Sequence, residues 1–248
     1  MPDEIFWEIH SDLPREGPGD NASTRRAYEL VTELPPAPRI LDVACGPGMQ
    51  TMELARLSSG PITAVDMHQP FLDELNRRAQ IAGVADRIKT QQGSMMAMPF
   101  ANGSFDLIWC EGAMYIMGVT EALSNWSRFL IPEGHVAFTE PCFLTDDVPD
   151  AVRKLWIEDY PGMTEIPVTV RKIAEAGFSL VSYFTIPDSA WWDDYYTPQE
   201  GRLQMLREKY ADDSKVMARI EQTQEEINLH RIYFPFYGYV FFVVRRID

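Results

Sequence analysis

The stretch DVACGPGMQT, residues 42–51, combines an acid with small residues in a spacing that suits a ligand-binding loop. Asp42 ends a short apolar run, and Ala44, Gly46 and Gly48 follow at every second position. Small residues let main-chain atoms approach a ligand closely, and the N-terminus of a following helix favours negative charge. The dinucleotide-binding pattern G-x-G-x-x-G would place a third glycine at Thr51, so the spacing argues against NAD.

A second acid, Asp66, ends the next predicted strand, eighteen residues after Gly48. A carboxylate at this place can accept hydrogen bonds from both hydroxyls of a ribose, and its charge repels a 2′-phosphate. The alternative is that Asp66 caps the helix that follows. Together with the loop, Asp66 predicts a ligand that carries a nucleoside.

Four stretches of the chain resemble, in this order, the motifs of the class I S-adenosylmethionine-dependent methyltransferases: ILDVACGPG, AVDM, QGSMMAMPFANGSFDLIWCEGAMYIM and EAGF. They are most similar to the small-molecule type related to quinone-biosynthesis methyltransferases. The resemblance covers residues 39–140 and extends to the terminal pair of strands. It implies S-adenosyl-L-methionine as cofactor and transfer of its methyl group to a small-molecule acceptor by in-line displacement.

The resemblance also implies a set of cofactor-binding residues. Asp66 would hold the ribose, the residues after it and after the third strand would contact the adenine, and Glu111 would lie at the methionine moiety. The full set is Asp42, Ala44, Gly46, Gly48, Asp66, Met67, Ser94, Met95 and Glu111. Two positions depart from the family pattern. Ala44 replaces a glycine, which is tolerable if its φ is negative, and Ser94 replaces an acid. The alternative for Met67 and Met95 is packing in the core.

Methyl transfer from a sulfonium needs few protein groups, because the cofactor carries the electrophile. A base is required only if the acceptor arrives protonated, and the candidates are Glu111, Glu140 and Tyr115. The alternatives are a cofactor-orienting Glu111, a solvated Glu140 and a packed Tyr115. We expect Tyr115, Trp156 and Tyr160 to line the acceptor pocket, although Trp156 could instead pack an inserted helix. No metal is expected, because the four histidines show no ligand spacing.

Composition limits the remaining functional classes. The chain has 22 basic and 37 acidic residues, for a net charge of −15, which disfavours nucleic acid as a partner. Three cysteines without a C-x-x-C pair, no secretory signal and no 18-residue apolar segment predict a cytoplasmic protein that does not enter a membrane. A catalytically silent S-adenosylmethionine-binding module and a nucleotide-dependent oxidoreductase remain as alternatives. The acceptor, the atom that is methylated and the oligomeric state stay open.

The elements that must position these residues alternate between strand and helix, which indicates crossover units and a parallel sheet. Asp20 is a candidate N-cap for a first helix. Predicted strands lie at residues 39–44, 61–66, 87–92, 104–111, 135–140, 178–186 and 233–246. Predicted helices follow at 48–57, 70–83, 121–130, 171–177 and 198–231. The fold expected is an α/β Rossmann-like, mostly parallel seven-stranded sheet with an antiparallel last strand, helices on both faces and helical lid insertions.

We expect one domain over residues 1–248. Residues 1–38 would form an N-terminal helical cap, 39–140 the cofactor-binding core, and 141–248 the late strands with lid insertions. The uncovered place is the carboxyl end of the sheet. We therefore expect residues 6–20 to cover it, with Gly17, Pro18 and Gly19 forming a turn near the cofactor.

Overall fold

The computed structural model describes residues 4–247, with every side chain in that range except those of Leu155 and Asp159. The strands are β1 (Ile40–Val43), β2 (Ile62–Asp66), β3 (Ile88–Gln92), β4 (Phe105–Cys110), β5 (Leu130–Phe143), β6 (Thr164–Glu165), β7 (Phe178–Thr185) and β8 (Tyr237–Arg246). The helices are α1 (Glu4–Ile9), α2 (Asn21–Leu30), α3 (Met49–Leu57), α4 (Gln69–Ile81), α5 (Val119–Trp126), α6 (Asp150–Asp159), α7 (Ile166–Glu175), α8 (Ser189–Trp191), α9 (Thr197–Lys209) and α10 (Ser214–Tyr233).

The strands form one sheet in the order β3-β2-β1-β4-β5-β8-β7. Strands β1 to β5 pair in parallel, and β8 pairs antiparallel with both β5 and β7. This arrangement confirms the predicted Rossmann-like sheet with its antiparallel last strand. The two-residue strand β6, which pairs with the end of β5, adds to the seven strands predicted. Chain order reverses between β1 and β4, and ligands of open parallel sheets bind beyond the strand ends at such a point.

Both faces of the sheet are buried, because successive strand residues point to opposite sides. In β8, Phe241 and Val243 belong to one apolar cluster and Phe242 and Val244 to the other. The first cluster includes residues of α2, α3, α4, α9 and α10, and the second includes residues of α5 and α7. Helices therefore cover both faces, as expected.

Two predicted element boundaries are wrong for identifiable reasons. The helical stretch predicted for residues 198–231 is two helices, since the Asp213 side chain caps α10 by accepting from the N–H groups of Lys215 and Val216. The helix predicted for residues 121–130 ends at Trp126, and Leu130 already begins β5. The Asp20 cap is confirmed, because its Oδ1 accepts the N–H of Ser23 at 2.6 Å.

Within residues 4–247, none of the helices has the length and apolar character needed to cross a membrane. Cys45, Cys110 and Cys142 are buried and unbridged.

Candidate active site

A cavity of about 430 Å³ opens at the carboxyl ends of β1, β2 and β4, which is within the range of small-molecule sites. Its walls come from two parts of the chain. We call the wall residues from the loops after β1, β2, β3 and β4 the floor. We call the wall residues that precede α2 the roof; they are Phe6, Trp7, His10, Arg15, Glu16, Gly17 and Pro18.

The loop after β1 turns at Gly46, which lies on the floor with φ +54°. Its N–H donates to Oδ2 of Asp66 at 2.9 Å. A Cβ atom at this position would lie 3.2 Å from Cγ of Glu16 in the roof. Gly46 therefore combines a left-handed turn with close approach of the two walls, and both favour glycine.

Ala44 also lines the floor, but the expectation of a negative φ is wrong, since φ is +55°. A left-handed conformation costs a residue with a Cβ about 1–2 kcal/mol. The next residue holds the turn in place, because the N–H of Cys45 donates to the carbonyl of Val65 at 3.0 Å. The loop thus keeps its path despite the extra methyl group, and the strain is stored next to the cavity.

Asp42 and Gly48, both predicted to bind the cofactor, lie behind the cavity wall rather than on it. Gly48 precedes α3 with φ +86°, and a Cβ there would lie 2.3 Å from Cδ1 of Leu75 in α4. Asp42 is fully buried and accepts the Thr51 hydroxyl at 2.5 Å. Burial raises the pKa of Asp42 to about 7. Thr51, which replaces the third glycine of a dinucleotide loop, thus anchors the acid beneath the loop.

Asp66 lies on the floor with both carboxylate oxygens engaged by the main chain. Oδ2 accepts from Gly46, and Oδ1 accepts the N–H of His68 at 2.8 Å. The N-cap of α4 is His68, so the alternative that Asp66 caps this helix is wrong. Burial raises the pKa of Asp66. Each carboxylate oxygen can accept more than one hydrogen bond, so capacity for a ligand hydroxyl remains.

Met67, Ser94 and Met95 also lie on the floor. Met67 is 54% exposed, so the core-packing alternative is wrong for this residue. Met95 packs partly against the apolar cluster that includes α5, and its carbonyl accepts from the Trp126 indole at 3.1 Å. Met95 therefore both packs and faces the cavity.

Glu111, immediately after β4, is held by three donors. One oxygen accepts from Thr24 at 2.7 Å and from the Trp109 indole at 2.8 Å, and the other is paired with the Arg15 guanidinium. Both members of this ion pair are buried. The pair ties the roof to the end of β4. Beside it, the N–H of Gly112 donates to the Thr139 hydroxyl at 2.7 Å.

The roof carries side chains that the motif-based predictions did not include. Trp7 stacks on His68 with ring centroids 3.8 Å apart, and Nδ1 of His10 lies 2.8 Å from Oε2 of Glu16. Burial lowers the pKa of His10 to about 4, and burial next to Asp66 raises the pKa of Glu16 to about 9. One feature of the sequence could have indicated these side chains. Phe6 and His10 are four residues apart, a spacing that brings side chains together in helical backbone, and their rings do stack.

Of the three predicted acceptor residues, Tyr115 lines the cavity, whereas Trp156 and Tyr160 do not. Trp156 packs against the ring of Tyr237 at 4.8 Å. Tyr160 lies beside Tyr115, with ring centroids 5.6 Å apart, and its hydroxyl donates to Oε1 of Glu140. Glu140 is 1% exposed and burial raises its pKa to about 8, so the solvated alternative for Glu140 is wrong.

The described part of the chain, residues 4–247, contains no group of three His, Cys, Asp or Glu side chains placed to hold a metal ion. His68 stacks in the roof contact already described, and His230 lies 3.1 Å from both Asp188 and Tyr237, in the lid region. Both histidines therefore make contacts with other side chains of the fold.

Residues 40–134 match a methyltransferase-domain family, and this stretch holds β1 to β4 and the whole floor. The chain is 25% identical over 261 residues to the 27-O-demethylrifamycin SV methyltransferase of Amycolatopsis mediterranei, covering 98% of this chain and 89% of the relative. It is 31% identical over 141 residues to a ubiquinone/menaquinone biosynthesis C-methyltransferase of Cereibacter sphaeroides. The chain therefore carries a methyltransferase domain over residues 40–134 and is similar to small-molecule methyltransferases.

Coverage differs between these relatives. The match to the quinone-biosynthesis enzyme covers 56% of this chain and 54% of that protein, so it spans about half of each. Among solved structures, a methyltransferase from Geobacter sulfurreducens in complex with S-adenosyl-L-homocysteine superposes with a TM-score of 0.83 at 22% identity. That match covers 99% of this chain and 98% of the other. At this identity it shows a shared fold over the methyltransferase core and the late strands alike.

Proposed function

We propose that this protein transfers the methyl group of S-adenosylmethionine to a small-molecule acceptor by in-line displacement. The observation that carries the proposal is a cavity with Asp66 on one strand end and Glu111 on another, between the floor and the roof. The similarity to methyltransferases supplies the methyl donor. The cavity supplies a space that excludes water while donor and acceptor are aligned.

In this proposal the cofactor lies across the strand ends. Asp66 accepts from the ribose hydroxyls, and Met67, Ser94 and Met95 contact the adenine. The methionine moiety extends past Ala44 and Gly46 towards Glu111. Asp42 and Gly48 shape the loop from behind the wall. Asp42 accepts the Thr51 hydroxyl, and Gly48 has no Cβ and so leaves room for Leu75.

Glu111 has a positioning role here rather than that of a base. Three donors already occupy its carboxylate, so it has little capacity to accept a proton from an acceptor. It holds the Arg15 guanidinium at the cavity wall. Tyr115 lies on the same wall four residues later, where its hydroxyl can orient an acceptor.

The acceptor in this proposal is a small molecule with an apolar part. Met96 and Ile116 line the cavity and are 62% and 53% exposed, so they leave an apolar rim for it. Two of its relatives are a 27-O-demethylrifamycin SV methyltransferase and a ubiquinone/menaquinone biosynthesis C-methyltransferase, which supports a small-molecule acceptor. Because the N-terminal segment and the core share one cavity, we also propose that residues 1–248 act as one unit.

Two measurements test the proposal. Calorimetry should show that S-adenosylmethionine and S-adenosylhomocysteine bind and that NAD does not. A metabolite extract incubated with methyl-labelled S-adenosylmethionine should then yield a labelled small molecule. Tight NAD binding without binding of the sulfonium nucleoside would contradict the cofactor assignment. Binding without labelling in any extract would favour the silent module.

A further inference from the structure

Arg15 is a buried cation on an otherwise acidic wall. Among the described residues that line the cavity it is the one lysine or arginine, and it is 4% exposed. The same wall carries the carboxyl groups of Glu16, Asp66 and Glu111. An anionic ligand group that enters this cavity therefore meets a single permanent positive charge.

The Arg15 guanidinium has donors to spare. Nη2 is paired with Glu111, whereas Nη1 is buried without a hydrogen-bond acceptor in the described part of the chain. Guanidinium presents five N–H donors in a planar fork that suits carboxylates. Because buried polar groups in native proteins are almost always paired, an unpaired guanidinium nitrogen at a binding wall points to an acceptor that arrives with the ligand.

The neighbouring backbone is shaped around this side chain. A Cβ atom at Gly19 would lie 2.4 Å from Nη2 of Arg15, so a side chain at this position would displace the guanidinium. Gly17 approaches Gly112, the residue after Glu111, with 3.7 Å from an added Cβ to its Cα. Arg15 is thus held at the end of β4, beside the place proposed for the methionine moiety.

We infer that Arg15 binds the α-carboxylate of the cofactor and makes the site selective for the intact amino acid over its decarboxylated form. This inference rests on the proposed function. The unpaired Nη1 of Arg15 supplies the donors, and Glu111 holds the guanidinium at the wall. Without Arg15, the carboxylates of Asp66 and Glu111 would repel an anionic group.

The test compares two ligands by calorimetry, S-adenosylhomocysteine and its decarboxylated analogue. The wild-type protein should bind the first about 10- to 100-fold more tightly, the range for a hydrogen bond to a charged group. In Arg15→Gln this ratio should fall to about threefold or less, with the loss confined to the carboxylate-bearing ligand. Arg77→Gln is the matched control, because Arg77 pairs with Glu74 on the surface, and it should keep the wild-type ratio.

Arg15→Gln leaves Glu111 buried without its cation, so it needs a second variant in case it does not fold. Arg15→Lys retains a charge for Glu111 but lacks the planar fork, and its ratio should fall several-fold. A ratio near one in the wild type, or a wild-type ratio in whichever Arg15 variant folds, would overturn the inference. Failure of the wild type to bind either nucleoside would instead contradict the proposed function.

Discussion

The floor and the roof enclose the same cavity but are built by different means. The floor follows the ends of parallel strands, and its residues range from Gly46 and Asp66 to the longer Met67 and Tyr115. The roof presents long aromatic and charged side chains, such as Trp7, Arg15 and Glu16. The sheet places the floor, whereas individual side-chain contacts place the roof.

Those contacts connect the roof to distant parts of the chain. Glu8 in α1 accepts from Lys209 and from the Tyr210 hydroxyl at 2.7 Å, and Arg202 donates to the Glu8 carbonyl at 2.9 Å. Arg15 connects the roof to Glu111. A segment held by a few polar contacts opens at lower free energy than one inside a sheet. We therefore propose that the floor supplies fixed recognition of the cofactor, while the roof opens to admit ligands.

The largest expected effect is on the floor. Asp66→Ala should weaken S-adenosylhomocysteine binding by roughly 2–4 kcal/mol, or tens- to several hundred-fold, because a carboxylate that accepts two ribose hydroxyls is lost. Calorimetry measures this, and a melting curve checks that the fold persists. Asp73→Ala, at an exposed position in α4, is the control. An unchanged dissociation constant would remove Asp66 from the binding site.

Gly48→Ala should destabilise the protein without adding anything to the cavity wall. We expect a loss of about 2–3 kcal/mol in the free energy of unfolding, since a left-handed residue is strained and the new Cβ meets Leu75. Denaturant titration measures it. Gly83→Ala is the matched control, because Gly83 has φ +68° but no atom within 4 Å of an added Cβ. Equal losses in both variants would mean that packing against Leu75 contributes nothing.

The third test concerns the carboxyl groups that face each other across the cavity. The pKa of Glu16 is raised to about 9 by burial and by Asp66, against the opposing effect of Arg78. A carboxyl group with a raised folded-state pKa binds more protons when folded, so stability is greatest at low pH and falls as pH rises towards 9. Below pH 7 the lowered pKa values of His10 and His230, both about 4, oppose this trend. The melting temperature should therefore fall between pH 7 and 9, and Glu16→Gln should make that fall smaller.

Other groups limit the size of this effect. Asp42 and Glu140, with pKa values of about 7 and 8, contribute in the same direction, so Glu16→Gln removes only part of the fall. The exposed Glu29→Gln variant should behave as the wild type. A melting temperature in Glu16→Gln that depends on pH as steeply as in the wild type would contradict a buried, neutral Glu16.

The smallest expected effect is a change in hydrogen exchange when cofactor binds. S-adenosylhomocysteine should slow exchange in residues 10–25 of the N-terminal segment as well as in residues 44–50 of the floor, because closure orders both walls. Strand β8, which is paired on both sides by β5 and β7, serves as the internal control and should not respond. A response in residues 44–50 alone would make the N-terminal segment a structural appendage.

The residues of the floor were largely predictable, because they follow from local patterns. Acid and small residues at strand ends placed Ala44, Gly46, Asp66, Met67, Ser94, Met95 and Glu111 on one wall. Asp42 and Gly48 belong to the same pattern but lie behind the wall. The reason is that Asp42 still lies within the buried strand β1 and Gly48 packs against Leu75 at the start of α3, which the spacing alone does not show.

The residues predicted to line an acceptor pocket were placed less well, because their positions depend on packing between distant segments. Trp156 and Tyr160 were chosen for their composition, yet one packs on Tyr237 and the other donates to Glu140. The roof segment was expected at the correct edge of the sheet, but its functional side chains were not. Arg15 acquires its place only by pairing with Glu111, which is 96 residues away along the chain.

The sequence by itself determined the order of the strands and helices of the core, the Rossmann-like class and the position of the small-residue loop after β1, because hydrophobic periodicity, caps and glycine spacing act over a few residues. Only the tertiary structure decided which of these residues face the cavity, the left-handed conformation of Ala44 and the burial of Glu16 and Glu140. Those properties arise from contacts between segments far apart in sequence. Burial and opposite charge, which give Arg15 and Glu16 their chemistry, exist only once the roof has packed on the floor.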